Sequence, residues 1–315
     1  MEKKVTHIEE NPEWNSSSCE RIELNNDDLG YVEKYDFSRA NTSNEARIFF
    51  ISKIASVCYA NPKALGSISL FNRLATENKG LPSSSYEFVP ILLTQEKYDA
   101  VLEILYNEYE NSGDFTKPES VTKYGEWLDI EGEAYLLTNL RALMADIGEL
   151  AQGEQYYNST EKEIKIIKDN FKVYKSHIDL STRAQFIRHR ANWQELSRRY
   201  VSGAKNPFNF YISEKMKNIE TSIGDDGTGT EQFMKTEDII NLCVDHYNNA
   251  ILDGVKPEEA RRIIPQAMYT TVWTAMQPKQ LEVFYKLRLD SHAQSEIQEL
   301  ARGMSSLDAL TQGVI

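Results

Sequence analysis

Arg188-His189-Arg190-Ala191-Asn192-Trp193-Gln194-Glu195-Leu196-Ser197-Arg198-Arg199-Tyr200 reverses the character of the chain around it. The 315 residues carry 35 Lys+Arg against 48 Asp+Glu, a formal net charge of -13. Between Ser181 and Lys205, however, Arg183, Arg188, Arg190, Arg198, Arg199 and Lys205 face only Glu195, a local charge of +5. A basic island in an acidic chain points to a local anion site, because the remaining surface repels a long polyanion. Guanidinium forks match phosphate in pairs of hydrogen bonds and keep their charge at any working pH. The expected ligand is a small phosphorylated molecule; with no extended basic stripe, DNA and RNA are not expected partners.

Just upstream, Ser181 or Thr182 suits the cap of a helix running through Arg190. On such a helix Gln185, Arg188 and His189 share one face at i, i+3 and i+4, while Arg183, Phe186 and Ile187 point elsewhere. That face offers an amide, a guanidinium and an imidazole, a donor-rich wall for a base or a phosphate. The same residues also fit an ordinary solvated helix end, where cations complement the C-terminal dipole. Two further stretches stand out. Ala260-Arg261-Arg262-Ile263-Ile264-Pro265 fits the end of a helix opened by Lys256-Pro257-Glu258-Glu259. In Arg288-Leu289-Asp290-Ser291-His292-Ala293-Gln294-Ser295-Glu296-Ile297, Asp290 or Ser291 suits the cap of a last helix, with Glu296 facing solvent or paired locally.

The rest of the chain could form one large domain or two modest ones, between a polar tail at 1–20 and a second tail at 306–315. Two short strands are expected in Arg21–Ser38 around Asp27-Asp28-Leu29-Gly30, and strands at Glu133–Leu137 and Phe171–Ile178. Helices are expected at Asn44–Tyr59 with Asn44 as cap, Thr94–Tyr109, Leu140–Leu150 starting near Asn139, and Thr236–Leu252. Gly80-Leu81-Pro82-Ser83-Ser84-Ser85 and the acidic Gly224-Asp225-Asp226-Gly227-Thr228-Gly229 read as loops.

Several chemistries find no support. No G-x-G-x-x-G follows a strand and no G-x-x-x-x-G-K-[ST] occurs, so neither a Rossmann site nor a P-loop is expected. Five dispersed histidines argue for no metal site. Cys19, Cys58 and Cys243 form no CxxC and sit beside no activating base, so neither a disulfide framework, a zinc site nor a cysteine nucleophile is expected. The absence of a long apolar run and of an apolar leader points to a cytoplasmic protein without membrane partners.

Taken together, the three stretches resemble the flavin-dependent thymidylate synthases. That family carries RHRxxSxNxxSxRY, then ARxxLP…YT…W, then LRxDSHAQxEI. Here Arg188-His189-Arg190…Ser197-Arg198-Arg199-Tyr200, Ala260-Arg261-Arg262-Ile263-Ile264-Pro265…Tyr269-Thr270 and Leu287-Arg288-Leu289-Asp290-Ser291-His292-Ala293-Gln294-Ser295-Glu296-Ile297 keep the order and register. The first 170 residues match loosely, and residues 90–165 look like an insertion foreign to the family. The first motif is one residue short and lacks its first serine, and Gln194 replaces its asparagine. The family's HxSPxEH finds only Lys79-Gly80-Leu81-Pro82-Ser83-Ser84-Ser85-Tyr86-Glu87-Phe88, with Glu87 left as its glutamate. Gln277 and Lys279 stand where asparagine and arginine usually meet the flavin.

The resemblance implies a single mixed-sheet α+β catalytic domain over residues 21–305, assembled into a homotetramer, with FAD at sites shared between subunits. It implies reductive C5-methylation of dUMP to dTMP, with methylenetetrahydrofolate as carbon donor and NADPH as electron source through FAD. By motif position, Gln185, Glu195, Ser197, Arg198, Arg199, Arg261 and Arg288 hold the nucleotide, Arg199 at its phosphate. Arg288 is the catalytic candidate at the uracil edge, where fixed positive donors stabilise developing charge. Arg188, His189, Arg190, Glu195, Glu87, Gln277 and Lys279 belong to the cofactor side. A sister enzyme acting on another pyrimidine nucleotide such as dCMP, or a nucleotide-binding protein without redox activity, are the competing readings.

Overall fold

Tyr269–Met276 is rich in β-branched and aromatic residues, which pack well on a pleated surface. No strand is expected there from the motif reading, yet this segment is an inner strand of the main sheet. The computed structural model describes residues 19–24, 30–77, 81–112, 119–225 and 227–311. Residues 1–18, the Asp27-Asp28-Leu29 turn, Gly80 and Asp226 lie outside the described residues. The main sheet has the order Glu20–Glu23, Tyr31–Tyr35, Lys172–Asp179, Tyr269–Met276, Asn192–Glu195. Tyr269–Met276 pairs along its whole length with Lys172–Asp179, and through Val272–Ala275 with Asn192–Glu195. Every pairing among the described strands is antiparallel. The α+β class holds, but the sheet expected to be mixed is antiparallel, because an apolar pattern carries no strand direction.

Alternation along these strands separates two cores. Val173 faces a large cluster with Phe37, Phe49, Phe50, Trp273 and Ala275, while Tyr174 faces a smaller one with Phe186, Phe284, Ile297 and Leu300. The helix Ser295–Thr311 covers the second face with Ile297, Leu300, Ala301, Met304 and Leu307, all fully buried at helical spacing. Residues 306–311, expected as tail, therefore continue this helix. Asp308 anchors it, accepting hydrogen bonds from Lys34 Nζ (2.7 Å), Tyr174 Oη (2.7 Å) and Tyr285 Oη (2.8 Å). The approach is close enough that a Cβ on Gly303 would lie 2.7 Å from Leu24 and 2.9 Å from Val32. The helix begins at Ser295 rather than beside Asp290 or Ser291; in the turn before it, Asp290 Oδ1 accepts from the His292 backbone N–H (2.8 Å).

The helix Asn44–Tyr59 keeps its expected bounds, but Ser43 caps it, its hydroxyl accepting from Ala46 N (3.1 Å). Thr236–Leu252 also keeps its bounds, and Asn139 caps Leu140–Ile147. Residues 90–165 form a three-stranded sheet in the order Pro90–Thr94, Glu133–Asn139, Glu126–Ile130, with the helices Gln95–Ser112, Leu140–Ile147 and Glu161–Asn170. Its Ile91, Leu93, Leu136, Leu137 and Leu143 share the large core with Phe49 and Phe50. The fully buried Arg47 ties the two parts together, donating to Asn41 Oδ1 (2.7 Å), Ala151 O (3.3 Å) and Tyr156 O (2.7 Å). The acidic glycine loop is the tip of the hairpin Glu220–Asp225 with Glu231–Lys235, and Gly224, Gly227 and Gly229 take the positive φ it requires. No helix among the described residues is long and apolar enough to cross a membrane.

His177, inside the sheet, is stacked between Tyr31 and Tyr269 at 5.1 and 5.0 Å. Burial, then the charges of Lys175, Arg21 and Arg198, lower its pKa from 6.5 to about 4, against an opposing pull from Glu33. The unfolded chain thus binds a proton that the folded chain refuses between pH 6.5 and 4. The stability contributed by the neutral ring is complete above 6.5 and is lost as pH falls through 4. Thermal melts should show Tm dropping across this window, with a shallower slope in His177→Gln; parallel slopes would remove His177 as a cause.

Candidate functional site

The short helix Leu180–Phe186 starts the site. Asp179, not Ser181 or Thr182, is its cap, accepting from the backbone of Ser181 (2.9 Å) and Thr182 (3.1 Å). The helix does not reach Arg190. Phe186 is fully buried, edge-on to Trp193 at 4.8 Å and against Phe284 at 5.2 Å. The chain then tightens with His189 N donating to Phe186 O (3.1 Å) and turns into the strand Asn192–Glu195. Tertiary packing thus overrides helical continuation, leaving Arg188 and Arg190 exposed and His189 buried.

Before this strand lies a cleft of about 760 Å³. Arg188, His189, Arg190, Gln277, Lys279 and Arg288 line one part of it, and residues 122–127 line another. His189 packs edge-on to Phe284 at 5.0 Å, and its Nε2 accepts from Arg288 Nε (2.8 Å), leaving Nδ1 as the protonated nitrogen of a neutral ring. Burial, then the Arg288 charge, holds the His189 pKa below the usual imidazole range. Gln185 supports Arg288 from behind, its Oε1 and backbone O accepting from the Nη atoms at 3.4 and 3.3 Å. The amide of Gln277 is buried and donates to Tyr124 O (3.1 Å) and Leu137 O (3.2 Å), so it clamps the segment around Tyr124 to the cleft.

After the strand lies a second cleft of about 500 Å³, lined by Glu195, Ser197, Arg198 and Arg261. Glu195 is held on both oxygens. Arg183 donates to Oε2 through Nε (3.0 Å) and Nη2 (2.6 Å), and Thr270 Oγ1 donates to Oε1 (3.0 Å). Arg198 spends Nη1 on Asn206 O (2.5 Å) and Nη2 on Pro207 O (3.2 Å), over the ring of Phe208. Its Nε is buried without a hydrogen-bond partner. Arg199 is outside the cleft lining and pairs with Glu258 at 2.9 Å.

The structure therefore gathers most of the expected residues into two clefts, with Arg199 and Glu87 in neither lining. Gln185 and Arg288, expected with the nucleotide set, stand with the cofactor set, and Glu195, expected on both sides, stands with the nucleotide set. Glu87 lines neither cleft: its carboxylate pairs with Arg141, and its backbone O accepts from Asn192 Nδ2 (2.8 Å). Burial raises its pKa against that pairing. Arg183, expected to point away, lines the second cleft, since it shares a helical face with Leu180 one turn earlier; that spacing was the available signal. Cys58 also lines the second cleft. Its thiol donates to Glu195 O (3.2 Å) and accepts from Gln194 Nε2 (3.0 Å), and burial pushes its pKa up, which opposes nucleophile formation.

Residues 168–308 match the family described as Thymidylate synthase complementing protein. Similar curated proteins are the flavin-dependent thymidylate synthases of Kosmotoga olearia, 29% identical over 145 residues, and of Thermotoga neapolitana, 32% identical over 124. That of Aquifex aeolicus is 32% identical over 130. These matches cover 43%, 39% and 39% of this chain and 62%, 54% and 40% of the relatives, respectively. Residues 168–308, which hold nearly all of both clefts' charged lining, are the part of the chain that matches this family, and the chain spans about half the length of the curated flavin-dependent thymidylate synthases it is similar to.

Proposed function

We propose that the chain catalyses the reductive C5-methylation of dUMP to dTMP with methylenetetrahydrofolate and NADPH, as an FAD-bound homotetramer in the cytoplasm. One observation carries this reading. A single short strand separates a cleft ringed by cations around a neutral imidazole from a cleft built on a doubly held glutamate. The larger cleft fits an anionic dinucleotide. Lys123, Arg188, Arg190, Lys279 and Arg288 are its cations, and its one acid, Glu126, is turned to accept from the Lys279 backbone N–H (3.0 Å). Bound there, FAD supplies the electron transfer of the reaction. The smaller cleft suits the nucleotide, with Arg183 orienting Glu195 and with Ser197 and Arg261 as hydroxyl and cation donors; Arg199, outside the lining and paired with Glu258, would have to leave that pair to reach the phosphate.

Arg288 is the residue to polarise the pyrimidine. His189 accepts its Nε–H and Gln185 its Nη hydrogens, so the planar guanidinium is set in orientation before substrate arrives. Because Arg288 and Glu195 lie in different clefts of one subunit, a complete site needs a neighbour to bring one against the other. Exposed apolar side chains suited to that assembly are Ile223, Phe233, Leu242 and Leu252, the last 83% exposed.

Titration of the purified chain with FAD, followed by flavin fluorescence, tests the reading: saturable quenching supports it, and no binding with nucleotide present overturns it. Arg199→Ala should weaken dUMP binding roughly 10- to 100-fold with FAD binding retained, the loss of a charge-assisted phosphate contact. Unchanged dUMP affinity by calorimetry would remove Arg199 from the phosphate. Arg288→Lys should cut turnover by on the order of 100-fold, since lysine cannot reproduce a planar, pre-oriented donor pair. Normal turnover would take Arg288 out of the chemistry.

A further inference from the structure

The larger cleft has a wall that the family match at residues 168–308 does not supply: Thr122–Trp127, from the insertion. Three hydrogen bonds fix this wall. Gln277 Nε2 donates to Tyr124 O and Leu137 O, and Glu126 Oε2 accepts from Lys279 N. Gly125 permits the close fit behind it, where a Cβ would lie 2.3 Å from Val121 O and 2.8 Å from Leu136 Cδ1. On this fixed wall Tyr124 and Trp127 remain 53% and 43% exposed, although both are large aromatics lining a cleft. Trp127 is held edge-on by Tyr98 at 5.2 Å, and Lys123 Nζ lies 5.3 Å over the Tyr124 ring.

Two exposed aromatic rings on a clamped wall, in one cleft with five Arg or Lys side chains, match a ligand that is flat, aromatic and anionic. The cleft's volume lies in the range of sites that enclose such molecules. Ring stacking on Tyr or Trp is tolerant of ring identity, while the cations select for phosphate. We propose that Tyr124 and Trp127 form a stacking subsite, contributed by the insertion, for an aromatic ring of the FAD held by Arg188, Arg190 and Arg288. This rests on the flavoenzyme reading above and adds to it a specificity wall built from residues outside the matched region.

The test is FAD binding by the full chain, read by flavin fluorescence, in the parent, Trp127→Ala, Tyr124→Ala and Trp127→Phe, with folding checked by circular dichroism. Trp127→Ala and Tyr124→Ala should each weaken FAD by about tenfold or more. Trp127→Phe should recover most of that loss, and dUMP affinity should stay at the parent value in all three. Titration with FMN separates the two ring systems of FAD. Equal sensitivity of FMN and FAD to Trp127→Ala places the isoalloxazine on the wall, and sensitivity of FAD alone places the adenine there. Parent-like FAD affinity in both alanine variants would overturn the subsite while leaving the flavoenzyme reading intact. Failure of the parent to bind FAD would overturn both. Should Trp127→Ala not fold, Trp127→Phe and Tyr124→Ala decide: loss in Tyr124→Ala with retention in Trp127→Phe supports the wall, and no loss in Tyr124→Ala overturns it.

Discussion

The pairing of Asn192–Glu195 with Tyr269–Met276 is the contact on which the site depends. Its register sets Glu195 opposite Val272 and Asn192 opposite Ala275. A slip of one residue would turn every side chain of the short strand to the other face. With the register held, Arg188–Arg190 enter one cleft and Glu195–Arg198 the other. The longer strand reaches both clefts as well: Thr270 near its start bonds Glu195, and Gln277 just after its end holds Tyr124 O. Gln194 pins the short strand from the side, accepting from Ser84 Oγ (2.9 Å) and donating to Cys58 Sγ.

Charge is then distributed by neutralising one partner at a time. In the smaller cleft Arg183 faces Glu195, which orients the carboxylate and lowers the cost of its partial burial. In the larger cleft the single acid is turned to a backbone N–H, and the imidazole beside Arg288 is kept neutral by burial and by that guanidinium. The cations are left with few competing anions around them. An acidic protein can in this way present a site for anions without a basic surface.

Much of this was legible in the sequence, and the reasons for the rest are specific. The helices Asn44–Tyr59 and Thr236–Leu252 were readable to the residue from apolar residues at helical spacing, although the first buries Arg47, Ile48 and Ile51 as well as its expected face and the second leaves Leu242 and Leu252 exposed. The three motifs carried the chemical residue types in order. Strand pairing was not readable: nothing local in Tyr269–Met276 says which neighbours it takes, although its β-branched composition was a usable sign of a strand. The stop at Phe186 was hidden because it depends on Trp193 and Phe284 closing around that ring, both distant in local pattern. The role of residues 122–127 was hidden for the same reason, since only long-range hydrogen bonds to Gln277 and Lys279 bring them to the cleft. The last helix was cut short in the reading because Leu307 and Asp308 look like tail composition until the sheet they cap is present.

The most direct test of the central claim is a single-turnover experiment on FAD-loaded, NADPH-reduced protein held without oxygen. Adding dUMP and methylenetetrahydrofolate together should reoxidise the flavin and release dTMP in equal amount, while either alone should leave the flavin reduced. Reoxidation with dCMP instead of dUMP, or no nucleotide product from any pyrimidine monophosphate, would contradict the account.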